Sequence, residues 1–374
     1  MNRLIIIGNG FDLAHGLKTS YCDFITAYIV DVLTKVYHEN SYEDPLIKVI
    51  HNGAKFLHPL SPAFDSTKVF QELEALSKNR SYEFEFKSAL LENTVYAAKD
   101  LKWVDLENDY FDALKDCRFP ESRVFDLIKV RKLNQQFQFL KNRLEGYLQS
   151  AQYQEGTFRK DPEIEKIFKS EIQKEDLLLD KTGGGRRPQF TMFLNFNYTN
   201  TVSKYLGMSR VILPATQDTI ERKDALNYIH GQLGADKNPI IFGFGDEYDS
   251  TYQEFELARN NEVFHHIKSF AYLKTRNYHD LIRFLMRDKF QVFIVGHSCG
   301  LSDRTMFREI FGHENCRSIK IFYYQRADGT NDFTEKTFDI ARHFIEKGEM
   351  RKKIVPEPLS SPLPQYNTKH LVVK

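Results

Sequence analysis

The chain has only four cysteines in 374 residues: Cys22, Cys117, Cys299 and Cys316. No two stand in a CxxC pair, which excludes a zinc ribbon or a redox dithiol. Reduced, mostly buried thiols are what a cytoplasmic protein carries, and that location is expected here. No apolar stretch approaches the roughly 18 residues of a membrane span, so no membrane is expected among its partners. The first apolar run, Leu4 to Ile7, is far shorter than an export core, and a glycine follows at once. Charge of one sign is also lacking. Lys and Arg number 52 and Asp and Glu 51, so the net charge of +1 provides no field for steering onto nucleic acid. No clustered acidic metal site and no internal repeat is visible, and no metal is expected.

Apolar residues make up 41% of the chain, enough for a sizeable core, in one large domain or two ordinary ones. The 31 Phe and 19 Tyr read as a Phe-rich helical core rather than a platform for stacking bases. Residues 2–8 (NRLIIIG) are a short continuous apolar run ending in glycine, the pattern of a strand buried on both faces in a parallel sheet. Ser20 is a candidate N-cap answered by Asp23, and Phe24, Ile25, Tyr28, Ile29, Val32 and Leu33 follow at helical spacing. Residues 40–152 read as a helical insertion with few strand signals. Phe137, Leu140, Leu144 and Leu148 mark one of its helices. Residues 153–189, with Gly183-Gly184-Gly185, read as a flexible loop. Strand-like runs return at 190–196, 211–213, 227–229, 240–242, 291–295 and 318–324, with helical stretches between several of them. That alternation argues for βαβ units and a parallel sheet flanked by helices. The expected organisation is an α/β core from 1–39 and 190–350, with residues 351–374 as an exposed tail.

Four motifs carry candidate chemistry. Gly8-Asn9-Gly10-Phe11-Asp12 follows the first strand, where glycine permits a sharp turn and close approach of a ligand. The full GxGxxG pattern is not met, and a plain tight turn explains the same residues. Asn195-Phe196-Asn197-Tyr198-Thr199 ends the next strand; its asparagines cap a helix or present an amide to a ribose hydroxyl or a water. His230-Gly231 ends Tyr228-Ile229, and the histidine is either structural or a positioned base. Gly296-His297-Ser298-Cys299-Gly300 matches GxSxG after a strong strand. Three readings stand open: Ser298 as a nucleophile, with Asp332 or Asp339 and His343 to complete a triad; a phosphate turn running to Asp303; or a small-residue turn. All four motifs fall at carboxyl ends of expected parallel strands and should meet in one crevice.

The strings IIIGNGFDLAHGLKTSYCDF, LNFNYTNTV, YIHG, IFGFGDE and VGHSCGLSD resemble, in order, the motifs of the AbiH family of bacterial proteins, named for abortive infection against phage. The resemblance runs from residue 3 to about 311. AbiH proteins are in turn similar to sirtuin-like NAD-consuming domains of other phage-defence systems. This implies a sirtuin-like, Rossmann-like core. It also implies cleavage of the N-glycosidic bond of NAD, or of a related nucleotide, as substrate. The resemblance places catalysis on Asn197 and His230. Binding falls to Gly8, Asn9, Gly10, Phe11, Asp12, Gly296, His297, Ser298 and Asp303, which tips Ser298 from nucleophile towards nucleotide contact. Thr199 stands where that wider pattern has an acid, and the sirtuin cysteine quartet is missing, so protein deacylation is not expected. The remaining functional alternatives are a nucleotide sensor without turnover, a serine hydrolase and an RNA-directed toxin or nuclease. A phage-derived activator or partner protein is expected, and spare apolar surface on the helical insertion suggests a homo-oligomer.

Overall fold

The computed structural model describes residues 1–52, 66–78, 82–101, 104–119, 122, 124–153, 160–178, 184–206, 224–258 and 260–365. Among these residues the strands are β1 (Asn2–Ile7), β2 (Ser41–Glu43), β3 (Ile47–His51), β4 (Tyr82–Phe86), β5 (Thr191–Asn195), β6 (Asp224–Tyr228), β7 (Phe290–Val295), β8 (Cys316–Tyr323) and β9 (Ser361–Pro362).

The central sheet has six strands in the order β6-β5-β1-β7-β8-β9, all parallel. Counted along the chain within the sheet, that order is 3-2-1-4-5-6, and it reverses direction between β1 and β7. β1 lies at the centre with all six residues buried, which is why it reads as an unbroken apolar run rather than an alternating one. Both faces carry helices. Leu4, Ile6, Met192, Leu194, Val292 and Ile294 pack on one side with Leu281, Phe284, Met306, Phe307 and Ile310. Ile5, Ile7, Phe193 and Phe293 pack on the other with Phe11, Ala14, Ile164, Phe168 and Tyr205. Each such aliphatic side chain contributes about 1.5–3 kcal/mol when fully buried.

Register aligns the strand ends. Ile7 lies opposite Asn195 in β5 and Val295 in β7, and Asn195 lies opposite Tyr228 in β6. The turns that follow these four residues therefore emerge side by side along one edge.

The helix Tyr21–Glu39 begins as its sequence suggests, with Ser20 and Asp23 closing a reciprocal capping box. Leu127–Tyr153 is one long helix whose buried face includes Phe137, Leu140, Leu144 and Leu148. The insertion is not wholly helical, however. β2, β3 and β4 form a separate antiparallel sheet. Tyr82-Glu83-Phe84-Glu85-Phe86 alternates apolar and acidic residues, a period of two that makes a strand inside the segment expected to be helical. Both it and Ile47–His51 pack on helices, with Ile47, Val49 and Tyr82 buried.

Two segments expected to be loose are docked. Pro162–Lys169 is a helix capped by Asp161, with Ile164 and Phe168 buried, and Ile172 pairs with Arg186 beyond it. Residues 354–363 run beside the sheet rather than away from it. Val355 N donates to Ile319 O at 2.9 Å, β9 pairs with β8, and Val355 and Leu363 are buried. Ile240–Phe242 is not a strand; Phe242 and Phe244 instead stack on Phe137 and Phe111 of the insertion at 4.6 and 3.6 Å. Residues 252–288, expected as one of the helical stretches between strands, hold three separate helices, Tyr252–Leu257, Lys268–Tyr272 and Asn277–Arg287, with a short 3-10 turn among them. The strand expected at 211–213, and Gly183, lie outside the described residues.

Candidate functional site

The turns after β1 and β7 fit into one another. Gly10 N donates to Gly296 O at 2.7 Å, and Gly8 N to Val295 O at 3.2 Å. A Cβ on Gly8 would stand 2.6 Å from His297, and one on Gly296 would stand 2.1 Å from Phe11 N. Gly296 also holds φ +71°, a left-handed backbone. The glycines that invited a phosphate reading thus make room for each other's turns. Asn9 Oδ1 accepts from Thr19 Oγ1 at 2.6 Å, and the Phe11 side chain is buried against Phe168, His15 and Tyr205.

Asp12 is buried and accepts from Thr199 Oγ1 at 2.6 Å. Thr199 is thereby joined to the segment after β1 by an acid of the short helix Asn9–Ala14. Asn197 bridges the same two turns. Its Nδ2 donates to Gly8 O at 3.0 Å, and its own N–H is held by Asn195 Oδ1 at 3.1 Å.

His230 and Asp303, 73 positions apart in the chain, meet at this edge. His230 Nε2 lies 3.1 Å from Asp303 Oδ1 and 3.1 Å from Tyr272 OH. The ring packs edge-on against Phe196 at 4.9 Å. Burial lowers the His230 pKa below the ordinary histidine value, Lys268 lowers it further, and Asp303 opposes both. The imidazole is therefore neutral at pH 7. With Nε2–H donating to Asp303, the lone pair sits on Nδ1, which makes no hydrogen bond among the described residues.

Two residues that the motifs did not mark complete this centre. Lys268 is fully buried, with Nζ 2.9 Å from Asp303 Oδ1, 2.9 Å from Glu107 Oε2 and 3.4 Å from Ser302 O. Glu107 comes from the insertion helix Leu106–Lys115, and its Oε1 accepts from Gly243 N at 3.0 Å. Burial alone would raise the Asp303 carboxyl, but Lys268 and His230 outweigh it and hold it well below the usual carboxylate range. Burial also disfavours the Lys268 ammonium, yet Asp303 and Glu107 keep its pKa above the ordinary lysine value. Burial pushes Glu107 up to about 7 against the pull of Lys268.

The GxSxG segment does not build a triad. Ser298 is half-buried, and no hydrogen bond joins it to His343. His343 Nε2 is held by Cys299 O at 2.7 Å; Asp332 accepts from Tyr324 N, and Asp339 pairs with Arg342. Besides Gly296, the left-handed residue of the turn is Cys299 at φ 58°, one past the serine, whereas a nucleophile elbow strains the serine itself. His297 turns its ring inward between Phe196 and Phe307, and burial pushes its pKa down to about 3. Its Nδ1 accepts from Cys299 N at 2.8 Å.

Fold and site together define an α/β protein with a parallel sheet and a buried histidine–carboxylate centre at the sheet's carboxyl edge. More particularly, the chain belongs to the family described as "Bacteriophage abortive infection AbiH", whose model matches residues 4–325. The match spans every motif above, and membership points to a role in abortive infection against phage. No curated protein matches the chain. Among the described residues no helix is long and apolar enough to cross a membrane, and no three His, Cys, Asp or Glu gather as a metal site.

Proposed function

We propose that this antiphage protein hydrolyses the N-glycosidic bond of a nucleotide, with NAD as the substrate to test first. The observation that carries the reading is the His230–Asp303 pair beside the point where strand order reverses. A sheet ordered 3-2-1-4-5-6 binds dinucleotides at that point in the Rossmann-like proteins, outside the carboxyl ends of its strands. The same order supports a Rossmann-like or sirtuin-like ancestry for the core. The turns Gly8–Asp12 and Gly296–Asp303 meet at that point, and a nucleotide would lie along their outer edge.

In this reading His230 Nδ1 removes a proton from water, and the water oxygen attacks the ribose carbon. The carbon–nitrogen bond breaks through an oxocarbenium-like state, and its electron pair leaves with the nicotinamide, neutralising the pyridinium. Asp303 holds the tautomer and stabilises the imidazolium, as the aspartate of a serine-protease triad does. Asn197 fixes the spacing of the β1 and β5 turns. Nucleotide sensing without turnover is the second reading. It is favoured by the amide of Gly10 already donating to Gly296 O, which leaves that part of the turn filled by protein.

Incubating the purified protein with NAD and following nicotinamide by chromatography tests the proposal. Release that depends on His230 supports hydrolysis. Binding of NAD by calorimetry with no release supports the sensor. Neither binding nor release refutes both for this substrate.

A further inference from the structure

Glu107 lies in the insertion, Lys268 in the segment between β6 and β7, and Asp303 after β7. All three are buried, and they touch in a line that ends on His230. We propose that Glu107 and Lys268 are positioning residues through which the insertion holds the Asp303–His230 pair in its working geometry. The inference rests on the reading of His230 as the base.

The argument begins with hydrogen counts. A lysine ammonium has three donors and no acceptor. Lys268 faces three oxygens: Asp303 Oδ1, Glu107 Oε2 and Ser302 O. Every direction in which it can donate is filled, so the ammonium is fixed in place and is not available as a nucleophile. Glu107 is fixed in turn, because its other oxygen accepts from Gly243 N. Asp303 Oδ1 then receives Lys268 and Tyr272, which rise from one helix four residues apart, together with His230. The histidine therefore donates to an oxygen whose position other residues dictate.

Removal of the lysine would leave two carboxylates facing each other in a buried space. Like charges so placed cannot both remain ionised. One of them takes up a proton or turns away, and His230 Nε2–H loses a fixed acceptor. Without it the ring is free to adopt the other tautomer, with the lone pair on the wrong nitrogen.

The test uses the whole 374-residue chain, labelled with ¹⁵N, as wild type, Lys268→Met and Glu107→Gln. Two-bond proton–nitrogen correlation spectra read the His230 tautomer at neutral pH, and nicotinamide release gives kcat and KM. The wild type is expected as the Nε2–H tautomer. Lys268→Met is expected to show a mixture of tautomers. Its kcat should fall about 10²-fold, the cost of about 1 Å of misplacement, with KM little changed. Glu107→Gln is expected to show a smaller loss in the same direction. A folded Lys268→Met that keeps the Nε2–H tautomer overturns the proposal. If that variant does not fold, Glu107→Gln decides alone: an unchanged tautomer and kcat overturn it. A wild type that releases no nicotinamide refutes the enzyme reading, yet the tautomer still tests the positioning role.

Discussion

Substituting Gly296 by alanine should damage the protein through its fold, because the two turns at the sheet edge leave no room for a methyl group. The added Cβ would lie 2.1 Å from Phe11 N and 2.6 Å from Gly10 C. Both are backbone atoms, so neither can swing aside as a side chain would. A forced shift in a packed interior costs about 1–3 kcal/mol. The left-handed φ of +71° adds about 1–2 kcal/mol for an L-residue. Disturbing the Gly10 N–H bond to Gly296 O adds about 1 kcal/mol. Against this, alanine reduces the freedom of the unfolded chain by about 0.4–1 kcal/mol. The net loss is about 2–5 kcal/mol, which for 374 residues is about 3–6 °C in melting temperature. Gly300→Ala is the internal control. Its φ of −66° suits any residue, and its nearest neighbour is Ser298 Oγ at 3.8 Å, so it should melt like wild type or slightly higher. Circular dichroism during a thermal ramp compares the two. Equal melting temperatures would show that the turns do not interlock as described.

Three further outcomes are expected. His230→Ala should lower nicotinamide release by about 10²–10⁴-fold, and the acidic limb of kcat/KM in the wild type should lie below pH 6.5, since burial lowers this pKa and the base must be neutral. A wild-type rate in the variant, or a limb above 6.5, removes His230 from that role. A fluorophosphonate probe should not label Ser298, because His343 is held by the Cys299 carbonyl; labelling abolished by Ser298→Ala would restore the hydrolase reading. Truncation after Met350 should destabilise the chain by about 3–6 kcal/mol, for it removes the buried Val355 and Leu363 together with β9; an unchanged unfolding midpoint in urea would contradict their docking.

What could be read in advance followed from local pattern. The run Leu4–Ile7 announces a strand covered on both faces, and the small residues after it announce a turn at the ligand edge of a parallel sheet. The convergence of Gly8, Asn197, His230 and Gly296 needed only the rule that parallel strands share an edge. Glu107 and Lys268 were missed because their partners lie far off in sequence. A trace of the first was present nonetheless: Glu107 shares a helical stripe with Tyr110, Phe111 and Leu114, where a carboxylate is out of place unless something pairs with it. The alternation in Tyr82–Phe86 was overlooked beside longer helical segments. The docking of residues 354–363 was hidden by their prolines, which suit an edge strand as well as a tail.

The position of β1 also governs the order in which the molecule can be assembled. Arg3 pairs with Thr191 on one side and with Gln291 on the other, so this strand is flanked by two that are synthesised much later. A ribosome adding about 5–20 residues per second needs on the order of 15–60 s to pass from β1 to residue 295. Until β5 has emerged β1 carries four exposed aliphatic residues and two unpaired edges, and one edge stays open until β7 follows, the condition under which nascent chains aggregate or recruit chaperones. The insertion has its own antiparallel sheet, but its helical core is completed only by later residues such as Phe242, Phe244 and Phe255. The centre built on His230, Asp303 and Lys268 cannot close until β7 and the turn beyond it have emerged.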